Sequence, residues 1–88
     1  MIRRRVVVRG TVQGVFFRAT CQQEARRCHV NGWVSNRSDG SVEAVFEGAP
    51  IAVESMLEWA HHGPPRAVVE SVDVTDEEPT GTLGFTAR

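Results

Sequence analysis

Three kinds of feature are scarce in this sequence, and each scarcity removes a class of protein. No apolar run approaches the ~20 residues needed to span a bilayer, so no membrane partner is expected. Neither charge is in excess: ten basic and eleven acidic side chains leave a net charge of −1. A general nucleic-acid binder normally carries a clear basic surplus, so nucleic acid is not expected as a partner. Cysteines number only two, Cys21 and Cys28. On one helix their Cα atoms would stand ~10 Å apart, beyond the ~7 Å limit for bridging. They read as small buried hydrophobes rather than as a disulfide. The opening "MIRRRVVVRG" is charged but offers only three consecutive valines before Arg9, too few for the apolar part of a secretory signal. A cytoplasmic location is therefore expected.

What is present is enough for one domain, residues 1–88. A chain of this length buries roughly two-thirds of its unfolded surface and can fold alone. Arg3 to Arg9 reads as a strand, with β-branched Val6, Val7 and Val8 stopped by Gly10. The period then changes. Phe17, Cys21, Ala25 and Cys28 share one face of a helix over 17–28, while Arg18, Gln22 and Arg26 point away from it. His29 stands where a glycine C-cap is usual. "NGWVSN" (31–36) and "SVEAVFEG" (41–48) are two strands joined by "RSDG", with Asp39-Gly40 as the turn signal. In the second, Val42, Ala44 and Phe46 alternate with Glu43, Val45 and Glu47, which predicts one buried and one mostly wet face. Pro50 suits a first helical turn. Val53, Met56, Leu57 and Ala60 repeat with helical spacing before Gly63, Pro64 and Pro65 end the helix. Residues 67–78 form a long strand, and "PTGTLGFTAR" a turn with a short last strand.

The order β-α-β-β-α-β closes as a two-layer sandwich, an antiparallel sheet with both helices on one face. This is the ferredoxin-like α+β plan. In it strands one and two run parallel, so their C-terminal ends share one edge of the sheet. The loop from Gly10 to Phe17 and the residue closing strand two, Asn36, are therefore expected together.

That loop reads "GTVQGVFF". Gly10 and Gly14 permit left-handed or tight backbone angles, so successive amides can converge as an anion-binding nest. The loop empties into a helix N-terminus, which also favours an anion. Arg18 adds a fork of donors suited to phosphate oxygens. Val12, Val15, Phe16 and Phe17 supply apolar walls that strengthen each donor. A phosphate-sized dianion fits. Nucleotide motifs do not, because neither GxxxxGK[ST] nor GxGxxG matches the spacing.

"GTVQGVFFR" resembles the first signature of the acylphosphatases, and "GWVSNRSDGSVEAVFEG" their second, at the separation that family shows. "GPPRA" and the closing "GF" are similar as well, so the likeness runs from about Val6 to Phe85. It implies hydrolysis of acyl phosphates to a carboxylate and inorganic phosphate, with no metal and no cofactor. It also implies that Arg18 binds the phosphate, that Asn36 positions the attacking water, and that backbone amides from Gln13 through Gly14, Val15, Phe16 and Phe17 to Arg18 cradle the substrate. The pair Cys28-His29 departs from the leucine-glycine common in the family, at the end of the first helix and away from the site.

Other residues have plainer readings. His61 and His62 favour the C-terminal dipole of the second helix, and His29 has no partners with ligand-like spacing. "NRS" (36–38) fits a glycosylation sequon but lacks a secretory context. Trp33 and Trp59 are core or core-edge residues. Arg3, Arg4 and Arg5 should lie beside Asp76, Glu77 and Glu78 of the long strand and be neutralised there. An RNA-recognition module shares this topology but needs exposed aromatics on its central strands, which are not found. A binding or regulatory domain that keeps the loop without turnover is the alternative. The expected partner is a small-molecule acyl phosphate, acted on by a monomer.

Overall fold

The computed structural model describes all residues from Met1 to Arg88. Its elements are β1 (Ile2–Thr11), α1 (Phe17–Arg27), β2 (Asn31–Asn36), β3 (Val42–Gly48), α2 (Pro50–Ala60), β4 (Val68–Glu77) and β5 (Phe85–Ala87). They build one sheet in the order β4-β1-β3-β2-β5. β3 is antiparallel to both β1 and β2, and β4 is antiparallel to β1. The ferredoxin-like α+β arrangement read from the sequence is the one observed. The sheet gains a parallel edge, since β5 pairs with β2 through Gly32–Phe85 and Val34–Ala87. The direction of β5 follows from where it starts. β4 ends at Glu77 beside Arg3, and the chain crosses that end of the sheet before β5 begins beside Gly32.

Alternation in the strands and helical spacing in the helices meet in one core. Val6, Val8, Val34, Val42, Ala44 and Phe46 face Phe17, Cys21 and Ala25 of α1 and Val53, Met56 and Ala60 of α2. Phe17 packs on Trp59 at 5.0 Å between ring centroids, and Phe85 stacks on Phe46 at 6.0 Å. Both cysteines are free thiols. His29 takes the left-handed angle, φ 59°, that the missing glycine would have taken.

The opposite face of β3 departs from the wet face expected of it. Val45 and Glu47 are as buried as the core. Val45 lies between Arg5 and Trp33 on the flanking strands, and the Arg5 guanidinium reaches over the Trp33 ring, 5.5 Å from its centroid. Glu47 is enclosed by the crossing segment. Its carboxylate accepts from the amides of Thr80 (2.9 Å), Gly81 (2.8 Å) and Thr82 (3.1 Å) and from Arg3 Nη1 (3.1 Å). A buried carboxylate with this many donors is satisfied, where an unpaired one would not persist. Period alone could not reveal it, because the covering residues lie more than thirty positions away in the chain.

The arginine run is neutralised as expected. Arg3 Nε donates to Glu77 at 2.9 Å, Arg5 Nε to the other Glu77 oxygen at 2.6 Å, and Arg4 pairs with Asp76 at 2.9 Å. Burial pushes the Glu47 carboxyl up, but the Thr80 amide, the Arg3 guanidinium and the Gly81 amide together outweigh it and hold it low. Hydrogen bonds from Arg5 and Arg3 hold Glu77 low as well. A carboxyl held low in the folded state stabilises it above the unfolded pKa of about 4.3 and loses that contribution as pH falls through the folded value. Thermal stability should therefore fall steeply with acidification below about pH 4.3. Glu47→Gln should cost roughly 2 kcal/mol at neutral pH, by losing charge-assisted bonds, and should flatten the acid limb in a melting series across pH. A mutant with the wild-type acid slope would show that Glu47 does not carry it.

Candidate active site

The end of β1 is shaped by a bulge between Arg9 and Gly10, after which Gly10 pairs with Val69 and Thr11 with Val68. A Cβ on Gly10 would stand 2.1 Å from the carbonyl oxygen of Val68. Gly10 thus belongs to the strand, where it lets β4 approach, and not to the anion loop proper. The loop is Val12–Phe16. Gly14 has φ 76° with open space around its Cα, so glycine is required there by conformation alone. Phe16, the residue capping α1, is also left-handed, at φ 65° and ψ 25°. For a bulky side chain that angle is an outlier, and such outliers gather at functional sites.

This backbone leaves donors free. None of the amides from Val12 to Ala19 donates to another group of the chain; the first to do so is that of Thr20, to the Phe16 carbonyl at 3.1 Å. The start of a helix leaves its first amides without an intrahelical partner and concentrates its positive dipole there, and here the free run extends back through the loop. Arg18, one residue into the helix, is exposed and has no acidic partner. One arm of its fork, Nη1, donates to the main-chain oxygen of Arg88. Asn36 is also exposed, and its carboxamide is not engaged within the chain.

These groups surround the pocket of the molecule, about 380 Å³ in volume and lined by Val12, Gly14, Phe16, Phe17, Arg18, Ala19, Gln22, Asn36 and Ala87. The lining contains no carboxylate, imidazole or thiol, hence no set of side chains apt to hold a divalent metal. It offers amide donors, one cation without an acidic partner and apolar walls, an environment for a compact dianion.

Known proteins resemble this chain along nearly its whole length. The family model described as Acylphosphatase matches residues 4–87. An acylphosphatase of Natronomonas pharaonis is 53% identical over 87 residues, covering 99% of this chain and 95% of that one. One from Thermococcus kodakarensis is 51% identical, over 96% of this chain and 92% of its own. The crystal structure of acylphosphatase from Bacillus subtilis superposes with a TM-score of 0.96 at 38% identity, covering 100% of this chain and 99% of that one.

The chain belongs to the acylphosphatase family. Its activity is that of the family, hydrolysis of acyl phosphates, and its substrate is a small molecule. No helix is long and apolar enough to cross a membrane.

Of the residues expected at this acylphosphatase site, Gly14, Phe16, Phe17, Arg18 and Asn36 line the pocket. Gln13 and Val15 do not. The Val15 side chain is buried in the core. Gln13 turns its carboxamide to the β2–β3 turn, where Nε2 donates to the carbonyls of Arg37 (2.8 Å) and Ser41 (2.9 Å). That side chain ties the loop to the strand bearing Asn36. Sequence reasoning missed Ala19, Gln22 and Ala87 as lining residues. Gln22 had a signal, since it follows Arg18 by one helical turn. Ala87 had none, because β5 reaches the site only by pairing with β2 and through Gln22 Nε2 holding the Phe85 carbonyl at 3.1 Å.

Because a methyl group at Gly14 would clash with nothing, Gly14→Ala isolates backbone strain. It should lower stability by about 1 kcal/mol in urea titration and weaken competitive inhibition by inorganic phosphate. Unchanged phosphate inhibition would mean that the left-handed angle is not needed by the site.

Proposed function

We propose that this acylphosphatase holds the phosphoryl group of its substrate on the backbone amides of Gln13, Gly14, Val15, Phe16, Phe17 and Arg18, with the Arg18 guanidinium on the same oxygens. Asn36 positions the attacking water. The observation that carries the assignment is the run of unpaired amides at the start of α1, beside an arginine with no counter-ion. A dianion is the partner that satisfies both.

The chemistry needs little more. Phosphoryl transfer passes through a loose transition state with charge spread over the phosphate oxygens, so catalysis is mostly alignment and electrostatic stabilisation. Water held by the Asn36 carboxamide attacks phosphorus in line with the acyl oxygen. The phosphorus–oxygen bond to the acyl group breaks, and its electrons leave with the carboxylate, a good leaving group that needs no general acid. The proton of the water passes to a phosphate oxygen, giving dihydrogen phosphate and the free carboxylate. We read this route as metal-free, which suits a lining without carboxylate, imidazole or thiol.

The same reading takes residues 1–88 as one domain working as a monomer in the cytoplasm. Exposed acidic residues Glu70, Asp73 and Asp76 along the free edge of β4 oppose self-pairing. Two free thiols suit a reducing compartment. Nucleic acid is not a partner in this reading, because Arg3, Arg4, Arg5 and Arg9 are engaged by carboxylates.

Benzoyl phosphate hydrolysis tests the mechanism. Turnover should be unaffected by a chelator; a chelator-sensitive rate would defeat the metal-free route. Arg18→Ala should raise the inhibition constant for phosphate by roughly 10–100-fold, as expected for losing a charge-assisted bond, and lower kcat by at least about 100-fold. Asn36→Ala should lower kcat similarly and leave phosphate inhibition near wild type. Full activity in Asn36→Ala would sink the water-positioning role.

A further inference from the structure

Phe16 is an unexpected residue for its place. It caps the N-terminus of α1, where Ser, Thr, Asp, Asn or Gly is preferred, and it makes no side-chain cap. Its φ of 65° is one that glycine or asparagine adopts far more readily. Nor does its ring compensate by burial, because Phe16 is 71% exposed. The left-handed angle itself serves the amide cradle, but any residue able to adopt it would serve equally. A bulky aromatic side chain there needs a separate reason.

The reason lies in the remainder of the pocket. A phosphoryl group takes on the order of 100 Å³, at a water-like ~30 Å³ per heavy atom. The pocket holds about 380 Å³. Space therefore remains for the acyl portion, and the side chains around it besides Arg18 and Asn36 are mainly apolar: Phe16, Ala19 and Ala87, with Gln22. Phe16 is the large, rigid and solvent-facing surface among them.

We propose that the Phe16 ring is a platform for the acyl group of the substrate, and that this enzyme favours aromatic acyl phosphates over those with small acyl groups. The inference rests on the phosphate cradle proposed above. Ring stacking favours an aromatic acyl group by up to about tenfold, without any contact to the reacting phosphorus.

The test compares kcat/KM for benzoyl phosphate with that for acetyl phosphate, in the wild type and in Phe16→Ala, Phe16→Asn and Phe16→Tyr. Intrinsic reactivity of the two substrates is common to all four proteins, and a loosened cradle affects both substrates alike, so each cancels in the ratio of ratios. The benzoyl-to-acetyl ratio should fall about five- to tenfold in Phe16→Ala and Phe16→Asn and be retained in Phe16→Tyr. Phe16→Asn should also melt at a higher temperature than wild type, since asparagine tolerates the left-handed angle. A ratio unchanged in Phe16→Ala and Phe16→Asn, or lost equally in Phe16→Tyr, would overturn the platform. Wild type that hydrolyses both substrates with Arg18→Ala still fully active would instead overturn the cradle, and the platform with it.

Discussion

β3 forms antiparallel ladders with β1 on one side and β2 on the other, so β1 and β2 must point the same way. Two segments far apart in sequence, the loop after β1 and the end of β2, therefore finish at one edge of the sheet. One brings unpaired amides and Arg18, and the other brings Asn36. Gln13 then joins them directly through its two bonds to the β2–β3 turn. With the sheet paired in this way, the spacing between the loop with its unpaired amides and Asn36 is set by β-sheet geometry rather than by flexible loops, which suits a reaction that depends on alignment.

A second link runs from the far end of the sheet. The buried Glu47 carboxylate gathers the amides of Thr80, Gly81 and Thr82, and so guides the chain from β4 round to β5. β5 then lies beside β2, places Ala87 in the pocket wall and brings the Arg88 main-chain oxygen to Arg18. Arg88 also sets its own guanidinium over the outer face of Trp33, 4.3 Å from the ring centroid. A charge buried at one end of the molecule thereby supports a wall of the pocket at the other.

The site itself runs against local preference. The left-handed angle at Phe16 and a run of amides with no partner in the chain go against local preference, and the valine-rich core with its two helices offsets the cost of the strained angle. Such local conflict within an otherwise consistent sequence is the usual mark of a functional region. Here it falls between Val12 and Ala19.

Much of this was legible in the chain. Alternating valines, helical spacing and turn residues determined the strands, the helices and their order, because period and propensity are local properties. The two signature stretches likewise determined the family, and Arg18 and Asn36, expected together from the topology, do line one pocket. Other features depended on pairing between distant residues. The wet face expected of β3 became a buried one because Thr80–Thr82 and the Arg5–Trp33 contact cover it, and no periodicity reports a cover that comes from elsewhere. Gly10 read as part of the anion loop, but the close approach of Val68 makes it a strand residue. β5 joined the pocket wall through its parallel ladder with β2 and the hydrogen bond from Gln22 to the Phe85 carbonyl. The sequence by itself determined the elements and the chemistry they carry; the tertiary structure decided which of those groups meet, because only long-range hydrogen bonding and burial bring them together.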